Sequence, residues 1–181
     1  MKENVIRRFS KAVFGWFVVI LVAVIAGYAF VTFFFQTVNI VGPSMSPTLK
    51  DGQVVVVNKI KYKIKDIERY DIVVYKKVES DSYYDVKRVV ALPGETVKIE
   101  NGKVYINGII LSDCPIESSI MNAGIAANDI KLGDNEYFLL GDNVNNSEDS
   151  RYNNIGIISK TEITGKVTSI IRPKEEKGKV K

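Results

Sequence analysis

The 181-residue chain contains no histidine. A Ser-His-Asp triad, a Cys-His dyad and a histidine-based zinc site are therefore out of reach within one chain. Cys114 is the single cysteine, which excludes an intrachain disulfide and a thiolate metal cluster. A hydrolase with a serine nucleophile would need lysine or a carboxylate as its base. Serine-lysine is a variant of the triad logic, and paired carboxylates stay open on composition. The net charge of +4 is spread out, without a basic stripe among aromatics, so nucleic acid is a poor partner.

What the chain does have is one long apolar run. Ala12 to Phe35 is 24 residues without a charge, and as a helix it would span roughly 36 Å, enough for a hydrocarbon core of about 30 Å. Residues 1–11 carry Lys2, Arg7, Arg8 and Lys11 against Glu3. This basic flank predicts a cytoplasmic N-terminus, a membrane span over 12–35 and an extracytoplasmic remainder at the cell membrane. Gly27-Tyr28-Ala29 offers the small-x-small pattern of a cleaved secretory signal. The run continues well past Ala29, so a permanent anchor is the better reading. With no polar face, the run also does not read as a buried helix of a soluble protein.

Beyond the anchor the pattern is β. Val54–Val57, Lys59–Lys65, Asp71–Tyr75 and Tyr84–Leu92 read as strands, the second with one wet lysine face. Asn101-Gly102 and Asn107-Gly108 separate short alternating runs, the strongest short-range hairpin signal. Tyr137–Leu140, Ile155–Ile158 and Val167–Ile171 read as further strands. Residues 112–135 read as loop with a helical turn near Ser118–Ala123. The expectation is a mainly β, antiparallel domain over 36–172 and a charged flexible tail over 173–181.

Three stretches could carry chemistry. Gly42-Pro43-Ser44-Met45-Ser46-Pro47 has two prolines and a glycine, so a turn presents Ser44 just past the anchor. The bland account is a linker. A serine needs a base to remove its proton, and a free lysine amine, with a pKa of about 10.4, is neutral in only about one molecule in 2,500 at pH 7. A lysine base must therefore sit on an apolar, rigid element that disfavours its charge. Lys87, between Val86 and Arg88-Val89-Val90-Ala91-Leu92, fits best, with Arg88 on the opposite face. Two ordinary surface charges would be the plain alternative. The third stretch, Gly141 to Arg151, mixes turn formers with Ser147, Glu148 and Asp149, and reads plainly as a loop held by Asx turns and an Asp149–Arg151 pair.

Together these blocks resemble the bacterial type I signal peptidases. Ser44-Met45-Ser46-Pro47-Thr48-Leu49, Arg69-Tyr70-Asp71-Ile72-Val73-Val74, Lys87-Arg88 with Ala91-Leu92-Pro93-Gly94-Glu95, and Gly141-Asp142-Asn143 with Ser147-Glu148-Asp149-Ser150-Arg151 follow in order behind an anchor. The short chain with one anchor is similar to the Gram-positive enzymes. The resemblance implies a signal-peptidase/LexA-like fold and a serine endopeptidase that removes signal peptides from exported preproteins, without metal or other cofactor. It implies Ser44 as nucleophile, Lys87 as general base and Ser147 as a hydrogen-bond partner of the amine. Asp142 with Arg88 and Asp149 with Arg151 would be structural pairs, and Met45 and Val86 would line the pocket for small side chains. The oxyanion donor would be the Ser44 N–H; some members add a hydroxyl two residues upstream, where this chain has Gly42. The implied partners are preproteins, the lipid bilayer and a nearby secretion translocon.

Three positions depart from the pattern. Tyr70 stands where glycine is usual, Val144 where arginine is common, and Gly156 comes five residues after Arg151 instead of three. Two rival readings follow from the same residues. A LexA-like self-processing protease would cut Ala-Gly bonds, and Ala26-Gly27 and Ala123-Gly124 are present, but the first lies inside the apolar run. An anchored binding domain with a dead site would leave Ser44 and Lys87 without a role.

Overall fold

The computed structural model describes residues 2–76, 84–116 and 118–180. It divides into two compact units, Met1–Phe35 and Gln36–Lys181. In the first, α1 covers Lys2–Phe34. Its part Val13–Phe34 is 22 residues of mean hydropathy 2.7 with none of it buried, long and apolar enough to cross a membrane. The predicted span loses Phe35, which opens strand β1 (Phe35–Asn39); the polar residues that follow end the apolar run.

The second unit is almost entirely β. β2 (Val54–Asn58), β3 (Ile72–Tyr75) and β4 (Asp85–Ala91) supply its first half. β5 (Thr96–Glu100), β6 (Lys103–Ile106), β7 (Ile109–Ile110) and β8 (Ile130–Lys131) form a small sheet in the order β7-β6-β5-β8. β9 (Glu136–Leu140), β10 (Ile158–Ser159), β11 (Ile163–Arg172) and β12 (Gly178–Lys179) complete the chain. The large sheet has eight strands, ordered β1-β2-β11-β3-β4-β9-β10 with β12 also on β11. Within both sheets the strands run antiparallel, as in β3–β4 and β5–β6. Both Asn-Gly pairs take positive φ, 50° and 74° at Asn101 and Gly102 and 51° and 81° at Asn107 and Gly108, the geometry that a two-residue hairpin needs.

Four local expectations change. Residues 59–65 are not a strand: Lys61–Ile64 is a helical turn, α2. Asn58 Oδ1 accepts from the N–H groups of Ile60 and Lys61, both at 3.0 Å, and this Asx turn outweighs the alternating pattern. Ile155–Ile158 shrinks to β10, because Ile155 and Gly156 donate to the Tyr152 carbonyl at 3.0 and 2.7 Å and close a turn. The helical turn lies later than expected, at Gly124–Ala127. The tail, expected to be flexible, folds back: β3 covers β11 only over 163–166, and β12 takes the open edge at Ser169 and Ile170. Lys50 Nζ holds Glu176 at 2.8 Å beside it.

Central strands β3, β4 and β9 are buried along nearly their whole length. β4 therefore carries any charged side chain it has into the interior. Lys87 and Arg88 are 2% and 3% exposed, where charged groups persist only with partners.

Candidate active site

The Ser44 turn is anchored by its neighbours. Met45 and Leu49 are buried in a core with Val55, Val57, Val74 and Val86, and the Leu49 N–H donates to the Met45 carbonyl at 2.9 Å. Pairing between β9 and β4 stops with Leu140 opposite Arg88. Ser44 occupies the space beside β4 where β9 ends. Asn143, in the loop leaving β9, donates its N–H to the Ser44 carbonyl at 3.0 Å and its side-chain amide to the Pro43 carbonyl at 3.2 Å.

Lys87 Nζ lies 3.4 Å from Ser44 Oγ. As an ammonium it donates to the hydroxyl; as a free amine it accepts from it, as a base must. Among the described residues the Ser44 N–H has no acceptor. Gly42 is no second donor, since its N–H is taken by Asp51 Oδ1 at 2.8 Å.

Arg88 turns to the other face of β4. Its Nε and Nη2 fork onto the two oxygens of Asp142, both at 2.7 Å, and Nη1 donates to the Tyr70 carbonyl at 2.9 Å. The second predicted pair also forms. Arg151 holds Asp149 through Nε at 2.7 Å and Nη2 at 2.9 Å. It further donates to the carbonyls of Asn122, Val144 and Ser147. Asp149 Oδ2 in turn accepts the Gly141 N–H at 3.1 Å. One buried guanidinium thus organises the whole 141–151 loop.

Ser147 is brought to the site but not to the amine. Its hydroxyl lies against Gly141, where an added Cβ would meet it at 2.2 Å, and donates to the Glu148 carbonyl at 3.5 Å. Among the described residues the Lys87 amine bonds Ser44 and Asp85, the latter at 2.7 Å. A carboxylate out-competes a neutral hydroxyl for an ammonium.

Ser44, Met45, Asp85 and Val86 line one groove of about 730 Å³ with residues 36–41. Its walls are largely apolar, and β1, at the sheet edge, runs along it.

The family "Signal peptidase, peptidase S26" matches residues 13–172. This chain belongs to the signal peptidase family. It is 34% identical to a signal peptidase I of Bacillus amyloliquefaciens over 99% of this chain and 98% of that one. It is also 34% identical to signal peptidase I S of Bacillus subtilis, covering 96% of each. A solved signal peptidase I from Enterococcus faecalis is similar at 29% identity and a TM-score of 0.48, covering 58% of this chain and 99% of its own.

Against this signal peptidase background the three departures have local reasons. Tyr70 sits at φ 70°, a left-handed conformation that glycine adopts without cost. Val144 is 1% exposed, packed in the core with Leu140, so it has no room for an arginine's charge. Gly156, at φ 65°, closes the Tyr152 turn, which moves the glycine two places along the chain.

Tyr75 and Asp85 are the site residues that sequence reasoning missed. Asp85 is two positions before Lys87 on a strand, hence on the same face. Burial first, then Asp85, pushes the Tyr75 phenol above its ordinary value. Burial likewise pushes the Cys114 thiol up.

Proposed function

We propose that this protein is a membrane-anchored serine endopeptidase that removes signal peptides from exported preproteins. The observation that carries the reading is the 3.4 Å contact between Ser44 Oγ and the buried Lys87 amine. Family membership and the length and apolarity of α1 add support.

In this mechanism the neutral Lys87 amine takes the Ser44 proton as Oγ attacks the scissile carbonyl. The oxyanion is held by the Ser44 N–H, a donor that no described residue occupies. Lys87 then passes the proton to the leaving amine, and the acyl-enzyme ester remains. A water gives its proton to Lys87, attacks the ester, and the released Ser44 recovers the proton. Neither metal nor other cofactor enters these steps. The groove suits an extended peptide, because the edge strand β1 can pair with its backbone. Met45 and Val86 restrict it to small side chains beside the cut. With residues 1–11 in the cytoplasm, the anchor confines Ser44 to the outer membrane surface, next to the translocon from which preproteins emerge.

The test is cleavage of a labelled preprotein by the full chain in detergent. Wild type should release mature protein, while Ser44→Ala and Lys87→Ala should release none above background. Equal product from all three would overturn the assignment.

A further inference from the structure

Asp85 and Lys87 project from one face of β4, and they are bonded. Asp85 Oδ1 accepts from Lys87 Nζ at 2.7 Å and from the Val86 N–H at 2.9 Å. The other oxygen accepts the Tyr75 phenol at 3.1 Å. Tyr75 lies directly opposite Asp85 in the β3–β4 register and is 3% exposed. A chain of hydrogen bonds therefore runs from the core phenol through the carboxylate to the amine and on to Ser44.

A lysine amine ends a stem of four rotatable carbons, and one long contact to a hydroxyl does not fix it. The carboxylate supplies a second, charge-assisted bond, and Tyr75 holds that carboxylate still. We infer that Asp85 is a positioning residue, clamped by Tyr75, that aims the Lys87 amine at Ser44. This rests on the Ser44–Lys87 reading above.

Aiming speeds proton transfer by holding the amine in line with the hydroxyl. Other charged groups near the pair have partners of their own. Tyr75 also feels Asp149 and Glu162, but Asp149 is forked by Arg151 and Glu162 accepts the Ser159 N–H at 2.8 Å. Arg88 is on the far face with Asp142. Asp85 is the carboxylate that touches the amine.

The experiment is the measurement of kcat and KM for preprotein cleavage by the full chain, comparing wild type, Asp85→Asn, Asp85→Glu and Tyr75→Phe. In Asp85→Asn kcat should fall several-fold with KM little changed. Asp85→Glu should recover much of that loss, and Tyr75→Phe should lower kcat less than Asp85→Asn does. A fall confined to kcat, with rescue by the conservative carboxylate, is not something a loosened fold produces. Equal kcat for wild type and Asp85→Asn would overturn the inference and leave the dyad intact. Product from Lys87→Ala, a different result, would remove the dyad and this inference together.

Discussion

Lys87 and Arg88 are chain neighbours with opposite tasks. One presents its amine 3.4 Å from Ser44 Oγ, and the other forks onto Asp142 at 2.7 Å. The strand's period of two separates them, and the burial of β4 makes each depend on its partner. Arg88 also donates to the Tyr70 carbonyl, so the strand that carries the amine is braced from its far side by the loop before β3.

Gly141 is a steric requirement of the site. A Cβ there would lie 2.2 Å from Ser147 Oγ and 2.6 Å from the Ser44 carbonyl oxygen. Gly141→Ala should cost about 1–3 kcal/mol as overpacking, and activity should fall about 100-fold because the Ser44 turn must shift. Thermal melting and cleavage rate, measured on one preparation, separate the two effects; wild-type rates would refute the close approach.

The Asp149–Arg151 pair is fully buried, at 0% and 1% exposure. Asp149→Ala should destabilise the chain by about 3–5 kcal/mol, the cost of an uncompensated buried charge. Arg151→Lys should not restore stability, since an ammonium cannot reach the two Asp149 oxygens and three carbonyls in one plane. Denaturant unfolding of the full chain in detergent checks both; a loss below about 1 kcal/mol would mark the pair as energetically minor.

Tyr70 at φ 70° predicts an unusual substitution order. Tyr70→Gly should retain fold and activity, with relief of backbone strain offsetting the lost ring contacts. Tyr70→Val, β-branched in the same conformation, should be less stable than the glycine variant by about 1–2 kcal/mol. Equal melting temperatures would show that the loop re-forms with a negative φ.

Burial pushes the Cys114 thiol above its ordinary value, and Asp142 adds to this against Arg88 and Arg69. The thiolate is the reactive form, so the folded chain should alkylate more slowly than the unfolded one near neutral pH. The gap should narrow as pH rises through the folded value. Equal rates would mean that the thiol is solvated. Cys114 lines a different pocket from the Ser44 groove, so alkylation should leave cleavage unchanged.

Much of the molecule was legible from local pattern. The uncharged run specified one long apolar helix, because length and hydropathy are properties of contiguous residues. Period-two alternation and two Asn-Gly pairs specified the hairpins through backbone preferences that act over four residues. Lys87 stood out from the other lysines by its apolar neighbours, and burial at 2% follows from the same neighbours. Where local signals competed, the pattern misled: the side chain of Asn58 turned an alternating stretch into α2. The charged tail looked unanchored because the open edge of β11 that receives it is made by strand order.

The site's wiring belongs to the tertiary structure alone. Ser44 and Lys87 are 43 residues apart, and Arg88 and Asp142 54; only sheet order brings them together. The choice of Asp85 instead of Ser147 as the amine's second partner depended on which acceptor the fold put within reach. Sequence alone determined the long apolar helix, the β character and the choice of Ser44 and Lys87 as candidates, because these depend on near neighbours. The fold decided their distances, partners and exposure, because those depend on segments that meet only after the sheets have formed.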